Sequence, residues 1–320
     1  MPRSLALLLV AACSSPAAAP DAVVGPWTLP LMLEERTLEP GVTALGDRLV
    51  VMGGFSTSLQ EGLAISRKVH LLDPASASWS ELPDAPVAWT HIDLIGTGGA
   101  LYLLGGLEGQ QYTARGEAYV LDPLAGAWRA IAPLPAGMER GAAGLAIAGN
   151  HLLLLGGAST TSALASCLDY DLATDAWSRL PDLPAARSHP AAMRMTDGTL
   201  LVVGGLGTLD ASQPHADVYA LAPGAAAWTT GRAAMPTARG GCAYGVLDGQ
   251  LVCAGGEAQR SALTQVEGYD PLGDVWTELP SLPDFRAGTQ GAVIARHFYV
   301  PGGARDLVFE PLATLFVYAP

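Results

Sequence analysis

Short apolar runs recur along the whole chain at a nearly constant spacing. Six of them end in a pair of glycines: Gly53-Gly54, Gly105-Gly106, Gly156-Gly157, Gly204-Gly205, Gly255-Gly256 and Gly302-Gly303. Successive pairs are 52, 51, 48, 51 and 47 residues apart. A fixed internal period of this size indicates a repeat architecture, so the pattern predicts six copies of one structural unit.

The apolar and polar positions within each copy predict four short strands. In the third copy the first strand is "GAAGLAIA", and a turn connects it to the second strand, "LLLLGG". After a loop come a third strand and then a fourth strand, which begins at a tryptophan. Runs of this length, bounded by glycine and proline, are typical of β-strands. Five copies reach their tryptophan, at Trp79, Trp128, Trp177, Trp228 and Trp276.

The sixth copy ends at "LFVYAP" with no tryptophan after it. Near the other end of the chain, "WTLP" at Trp27–Pro30 matches "WSELP", "WSRLP" and "WTELP", yet no glycine pair precedes it. We therefore expect the strand at Trp27 to complete the sixth copy. That pairing also covers a strand edge that would otherwise be exposed.

A unit of about 50 residues with these features resembles a kelch repeat. The resemblance covers residues 27–320 and implies an all-β fold, a six-bladed kelch-type β-propeller closed by the N-terminal strand in the last blade. Two departures predict local irregularity. Pro301 lies in the second strand of the sixth copy, and Ala222 replaces the aspartate that precedes other tryptophans.

The first residues predict export. "MPRSLALLLVAAC" places Arg3 before eight apolar residues, too few to span ~30 Å of hydrocarbon as a helix and typical of a signal peptide. "VAAC" resembles the lipobox of bacterial lipoproteins, which implies a signal peptide over 1–12, lipidation of Cys13 and a tether over 13–26. A plain secretory signal cleaved near Ala19 is the alternative. The expected location is the bacterial cell envelope, in the periplasm or at the outer membrane.

Composition narrows the classes of partner. The formal net charge of −13 argues against binding to nucleic acid and against broad docking on anionic lipid. Membrane contact is therefore expected only through the lipid anchor, and the propeller is expected to be a monomer. The sequence has no "HExxH", "GxSxG", "CxxC" or calcium-loop pattern. We expect no cofactor and no metal.

Two of the cysteines lie in one predicted hairpin, "CAYGVLDGQLVC". If Asp248-Gly249 form the turn, Tyr244 faces Cys253 and the sulfurs of Cys242 and Cys253 are diagonal neighbours, with Cα atoms ~7–8 Å apart. That separation is too long for easy bridging, so we expect buried free thiols. A disulfide is the alternative, since export permits one.

Candidate binding residues lie in the links between copies. In propellers these links share the top face with the loops after the glycine pairs, which here are long and unlike one another, as in "LEGQQYTARGE". Five arginines lie 16 or 17 residues before a glycine pair, and Trp89 takes this position in the second copy: Arg36, Arg140, Arg187, Arg239 and Arg286. His91 and His189 follow two residues after the second and fourth of these positions.

The kelch resemblance implies that such arginines face the mouth of the central channel. A ring of guanidinium groups there attracts carboxylates or phosphates, and Trp89 offers an aromatic platform. The alternatives are structural: arginines that bond to the blades themselves, and a tryptophan that fills space between blades. Two histidines alone do not make a metal site.

The favoured function is therefore a binding propeller without catalysis. Its top mouth is expected to recognise an anionic or carbohydrate ligand, or another envelope protein. The alternative is an enzyme, since some secreted six-bladed kelch proteins are sugar-acid mutarotases. Glu108 and Glu257 are acids near the mouth that suit a proton shuttle in that chemistry.

Overall fold

A computed structural model of the chain describes residues 23–24, 26–306 and 309–320. They form β-strands arranged as six blades, with one short 3-10 helix at Leu59–Glu61. The predicted all-β, six-bladed fold is confirmed. In the described part of the chain no helix has the length and apolar character needed to cross a membrane. The predicted signal peptide, Cys13 and most of the tether lie outside the described residues.

The strands of each blade are antiparallel and follow one another from the channel outward. Blade one comprises Gly41–Leu45, Arg48–Met52, Val69–Asp73 and Ser78–Leu82; blade two comprises Leu94–Thr97, Ala100–Glu108, Thr113–Asp122 and Ala127–Ile131, with Trp89–Thr90 paired to the second of these. Blade three comprises Gly144–Ala148, His151–Leu155, Cys167–Asp171 and Ala176–Leu180; blade four comprises Ala191–Arg194, Leu200–Val203 and Val218–Leu221. Blade five comprises Ala243–Leu247, Gln250–Ala254, Val266–Asp270 and Val275–Leu279, with a small hairpin of Glu257–Ala258 and Ser261–Ala262; blade six comprises Ala292–Ile294, His297–Pro301, Leu312–Tyr318 and Trp27–Thr37, edged by Val23–Val24.

The first long strand closes the ring, as the sequence predicts. Trp27–Thr37 pairs antiparallel with Leu312–Tyr318, with Trp27 opposite Tyr318. The Trp27 side chain is 1% exposed, and its indole N–H donates to the Pro280 carbonyl of blade five at 2.8 Å. Four other tryptophans donate to a carbonyl of the preceding blade at 2.8–3.0 Å: Trp128, Trp177, Trp228 and Trp276. Trp27 therefore occupies the tryptophan position of blade six.

The hydrophobic core lies between the blades. Six apolar clusters each combine the strands of two neighbouring blades, and the cluster between blades six and one includes Leu33, Val51 and Leu315. A blade is a twisted sheet that cannot cover both of its faces, so stacking against both neighbours stabilises it. The ring is held by burial at every junction.

Blade four is irregular, as the replacement of aspartate by Ala222 predicts. In other blades the aspartate accepts a backbone N–H from the turn that follows, for example Asp171 from Ala173 at 2.8 Å and Asp270 from Leu272 at 2.9 Å. Alanine cannot form this Asx turn. The outer position of blade four is reduced to an isolated bridge between Ala220 and Thr229.

The expectation of free thiols in the hairpin is wrong. Cys242 and Cys253 form a disulfide with a Cα–Cα distance of 5.6 Å. The predicted register holds, since Tyr244 pairs with Cys253, but the ladder begins at Ala243. Gly241 and Gly255 are left-handed, with φ of 60° and 64°, so the chain leaves the regular sheet at this end and Cys242 approaches its partner.

Candidate functional site

Six residues at the ends of the links between blades form a ring around the channel on the top face. All six are left-handed, with φ from 51° to 65°: Glu39, His91, Ala142, His189, Gly241 and Gly288. Five successive pairs are joined by a backbone N–H to carbonyl bond of 2.7–3.0 Å, running from Glu39 to Gly288, His91 to Glu39, Ala142 to His91, His189 to Ala142 and Gly241 to His189. We call these six residues the mouth ring. It fixes the backbone from which three large side chains project.

A cavity of about 290 Å³ lies above the mouth ring, and every blade contributes to its lining. Its floor holds the side chains of Glu39, His91 and His189, with Glu257 at the side. The walls include Leu107, Tyr112 and Phe309. Tyr112 and Phe309 pack edge-on against the buried Phe55 ring, at centroid distances of 6.3 and 5.8 Å, so an aromatic cluster supports one wall. The cavity has a polar floor and partly apolar walls.

The floor side chains are close together. Nε2 of His91 lies 3.6 Å from Oε1 of Glu39. The rings of His91 and His189 are 5.1 Å apart and nearly perpendicular. Nδ1 of His91 is held by the Thr90 hydroxyl at 2.9 Å, whereas neither ring nitrogen of His189 has a hydrogen-bond partner among the described residues. A buried polar group without a partner is uncommon and calls for an explanation.

Burial sets the charge states of this floor. It lowers the pKa of His91 to about 3 and that of His189 to about 4, so both imidazoles are neutral at pH 7. Burial raises the pKa of Glu39, with His189 opposing the rise. It also raises the pKa of Glu257 to about 8, with a further contribution from the Glu39 carboxylate. Neutral imidazole is the form that binds metal ions.

The arginine ring expected at the mouth is not formed. Four of the five arginines are at most 2% exposed and turn back into their own blades: Arg140, Arg187, Arg239 and Arg286. Arg140 shows the pattern, since Nη1 donates to the carbonyls of Gly156 and Ser166 at 2.8 and 2.7 Å. Arg239 pairs with the buried Glu267 at 3.0 Å. These guanidinium groups bond to the blades themselves, which is the structural alternative left open by the sequence.

Arg36 does not share that position. Its side chain is 45% exposed and pairs with Glu61 at 2.8 Å. Thr37 is the true counterpart: its hydroxyl donates to the carbonyl of Gly53 at 2.8 Å, and its carbonyl accepts the N–H of Gly303 at 2.9 Å. The backbone carbonyls of Arg239 and Arg286 occupy the position that matches Thr37. They accept the backbone N–H of the second glycine of the pair in blade four and in blade five, respectively.

Trp89 lies between blades and does not offer a platform. It is 1% exposed and packs in the apolar cluster that joins blades one and two, with Met52, Ala85 and Ile92. Among the predicted mouth residues, only His91 and His189 reach the cavity. Of the two candidate acids, Glu257 reaches it, whereas Glu108 pairs with Arg115 outside.

Glu39 is the site residue that the sequence did not reveal. It lies 14 residues before its glycine pair, as His91 does, and two residues after Thr37. His189 lies 15 residues before its pair because the turn at Asp197-Gly198 adds a residue. The spacing would have found Glu39 had the first copy been aligned on Thr37 in place of Arg36.

Comparison with known proteins shows which chains this sequence resembles. A family model described as the KLHDC2/KLHL20/DRC7 Kelch-repeats domain matches residues 90–303. Kelch-like protein terF of Aspergillus terreus is 28% identical over 316 residues, covering 93% of this chain and 68% of that protein. Kelch repeat and BTB domain-containing protein 13 of Homo sapiens is 31% identical over 54% of this chain and 36% of its own length. F-box/kelch-repeat protein At1g80440 of Arabidopsis thaliana is 30% identical over 46% of this chain and 42% of its own length. The chain therefore spans about two thirds of the first relative and less than half of the other two.

Proposed function

Because the chain belongs to the kelch-repeat family of β-propellers, we propose that it is a binding module that docks a partner protein in the cavity of its top face. The observation that carries the proposal is the cavity itself, which is walled partly by apolar side chains and lined by residues from the unlike loops that follow the glycine pairs of blades two to six. Variable loops on a rigid scaffold are the usual place for recognition. The kelch scaffold supplies the rigidity and the loops supply the specificity.

The size and lining of the cavity favour one kind of contact. A volume of about 290 Å³ lies at the lower limit of pockets that enclose whole ligands, and it suits an anchoring side chain from a partner. The lining residues described by the structure include no arginine or lysine. With the arginines buried in the blades, the electrostatic argument for an anionic ligand loses its support. We therefore favour a protein partner that inserts an apolar or aromatic anchor between the walls.

Site-specific photocrosslinking tests the docking face. A photoreactive amino acid replaces Gln111 at the cavity rim or, as a control, Leu272, which is 83% exposed in the turn of blade five on the opposite face. In cells that make the protein, position 111 is expected to yield a discrete adduct identifiable by mass spectrometry, and position 272 none. Adducts at 272 alone would overturn the proposal.

A matched pair of substitutions checks that the cavity holds the anchor. Leu209 lines the cavity and is 42% exposed, so Leu209→Arg places a bulky charge in the mouth. Leu272→Arg makes the same change on the other face. Leu209→Arg is expected to weaken the interaction at least about tenfold, a difference of ~1.4 kcal/mol, and Leu272→Arg to leave it unchanged. Equal effects would show that the partner does not use the mouth.

We also propose that the protein is exported and anchored in the bacterial envelope through Cys13, so that the partner is an envelope protein. The motif around Cys13 supports this, as does the Cys242–Cys253 disulfide, because such bonds persist in oxidising compartments. Cys13→Ala is expected to release the protein from the membrane fraction. Retention of the variant would refute the anchor.

The fold suggests which way an anchored propeller faces. The strand Trp27–Thr37 ends on the top face, where Thr37 meets Gly303, so Trp27 at its start lies toward the bottom face. Fourteen residues separate Cys13 from Trp27, a reach of at most ~45 Å. A biotin-acceptor tag inserted within residues 107–117 is expected to be labelled on intact anchored particles, and protection of the tag would contradict this orientation.

A sugar-acid mutarotase is the second candidate, and one observation favours it: the carboxyl group of Glu257 lines the cavity and can act on a bound sugar as acid or base. The guanidinium clamp for the substrate carboxylate is missing from the described lining residues. Exchange NMR on sialic acid anomers tests this candidate. Rate enhancement that is lost in Glu257→Gln would support it, and a rate equal to that in buffer would exclude it.

A further inference from the structure

We propose that Glu39, His91 and His189 bind one divalent first-row transition metal ion at the floor of the cavity. One carboxylate oxygen and one ring nitrogen from each histidine lie within 4.8 Å of one another. Ligand atoms around a tetrahedral zinc ion are about 3.3 Å apart, given bonds of ~2.0–2.1 Å. The largest approach required is therefore about 1.5 Å, which rotation of the side chains supplies.

His189 provides the strongest argument for a missing ligand. Both of its ring nitrogens are buried, and neither has a hydrogen-bond partner among the described residues. A packing role would be served better by an apolar side chain, because buried polar atoms without partners destabilise a protein. Coordination of a metal ion satisfies one of these nitrogens.

His91 is oriented as metal-binding histidines are. The Thr90 hydroxyl contacts Nδ1 at 2.9 Å and can donate its own hydrogen to the carbonyl of Leu107 at 3.4 Å. Nδ1–H then donates to the hydroxyl oxygen, and the lone pair of Nε2 faces Glu39 across 3.6 Å. A second contact that fixes the tautomer and the ring is the usual companion of a histidine ligand.

The donor set and the charge of the cavity select the class of ion. Two imidazoles and one carboxylate suit Zn²⁺, Fe²⁺, Ni²⁺ or Cu²⁺ better than the oxygen-preferring Ca²⁺ or Mg²⁺. Glu257 also lies near Gly241, but its carboxylate is outside the group of ligand atoms that lie within 4.8 Å of one another. Three protein ligands leave at least one coordination position open toward the cavity, as in zinc sites that bind water or a ligand.

Metal binding at the cavity floor and docking on the cavity walls are independent of each other. A metal ion can occupy the floor without a partner, and a partner can contact the walls of a metal-free cavity. The experiments keep the two apart, because metal binding is measured on the isolated protein and crosslinking can be repeated in the presence of a chelator.

The first experiment is isothermal titration of Zn²⁺ into the untagged, chelator-treated protein. One Zn²⁺ is expected to bind per chain, and Co²⁺ in its place is expected to show visible absorption of a low-coordinate site. His189→Asn is the test variant, because asparagine tolerates the left-handed conformation at φ 52°. It is expected to weaken Zn²⁺ binding at least 100-fold, and Glu39→Gln at least tenfold. A wild-type protein that binds no Zn²⁺ would overturn the proposal.

His70→Asn is the matched control. His70 belongs to a second cluster with Glu34 and Glu81 whose potential ligand atoms also lie within 4.8 Å of one another. There Glu81 already pairs with Lys68 at 3.0 Å. The control is expected to bind Zn²⁺ as the wild type does. Binding that survives in His189→Asn and is lost in His70→Asn would place the metal at the second cluster and refute the mouth site.

A measurement without substitutions guards against variants that do not fold. In the wild-type protein labelled with ¹⁵N-histidine, Zn²⁺ is expected to shift the ring nitrogen signals of two of the six histidines. Those two are assigned by their loss in the corresponding variants, or His91 by its contacts with Thr90 and Tyr112 and His189 by its contact with His91. A shift confined to other histidines would overturn the assignment.

Discussion

The ring closure gives a quantitative prediction at Trp27. Its side chain is 1% exposed, it packs against Tyr318 at a centroid distance of 5.1 Å, and its N–H donates to Pro280 in the neighbouring blade. Replacing a buried tryptophan by alanine costs ~3–5 kcal/mol through lost burial and the cavity that remains. The Pro280 carbonyl also loses its donor. We expect Trp27→Ala to lower the free energy of unfolding by about 3–5 kcal/mol.

The assay is urea unfolding combined with hydrogen exchange. Opening of the closure frees the strand Leu312–Tyr318 from Trp27–Thr37, so amides in that strand are expected to exchange faster in Trp27→Ala before the other blades unfold. A loss of stability below about 1 kcal/mol, with exchange of Leu312–Tyr318 unchanged, would refute closure by the first strand.

Trp79 supplies a control for the hydrogen bond. It is the tryptophan of blade one, and its buried indole N–H has no partner among the described residues. Trp27→Phe removes a bond to a carbonyl that is then left unsatisfied, a cost of ~1–3 kcal/mol, whereas Trp79→Phe removes no such bond. The first variant is expected to be the less stable of the two. Equal costs would show that the bond to Pro280 contributes nothing to closure.

Three further predictions follow from contacts within the blades and the mouth ring. Arg239→Met is expected to destabilise the protein by ~3–5 kcal/mol, because it leaves the buried Glu267 carboxylate without its charged partner. The second substitution Glu267→Gln is expected to restore part of the lost free energy of unfolding, as measured by urea unfolding. Cys242→Ser combined with Cys253→Ser is expected to cost ~2–3 kcal/mol for a loop of 11 residues, and reductant should lower the urea midpoint of the wild type alone. In chelator-treated protein, the His189→Gly variant is expected to unfold at the same temperature as the wild type or at a higher one. Added Zn²⁺ should raise the melting temperature of the wild type only. A clear loss of stability of the metal-free variant would show that His189 is a packing residue.

The fold was accessible from the sequence because its determinants repeat. The glycine pairs and tryptophans recur at nearly constant spacing, so one unit predicts the others. The tryptophan of the first strand identifies it as the outermost strand of a blade. The disulfide was not predicted because an ideal ladder that extends to Cys242 places the Cα atoms of Cys242 and Cys253 too far apart. The left-handed Gly241 and Gly255 end that ladder one residue earlier, and an ideal sheet contains no such bend.

The site was less accessible because its residues depart from the repeat. A recurring arginine was the most visible feature of the links, yet in four blades this side chain is buried and bonds to groups of its own blade, for example the carbonyls of Gly156 and Cys253, and so supports the fold. The residues that reach the cavity differ from blade to blade. Aligning the copies by their links identified His91 and His189 two residues after the aligned position. The same alignment did not identify Glu39, because the first copy was aligned on Arg36 and not on Thr37, one residue later.

The six positions of the mouth ring share one backbone conformation but carry side chains of different size. All six positions need the left-handed conformation, which glycine adopts freely and which costs other residues roughly 1–2 kcal/mol. Three of the positions hold small residues, Ala142, Gly241 and Gly288, so the backbone ring does not require a large side chain. Glu39, His91 and His189 therefore carry a conformational cost, and His189 adds the cost of unpartnered buried nitrogens. Strain of this kind is tolerated at functional sites. Within the mouth ring the large side chains are confined to these three positions, which meet at the cavity floor, and this supports the mouth as a site on grounds independent of the cavity's shape.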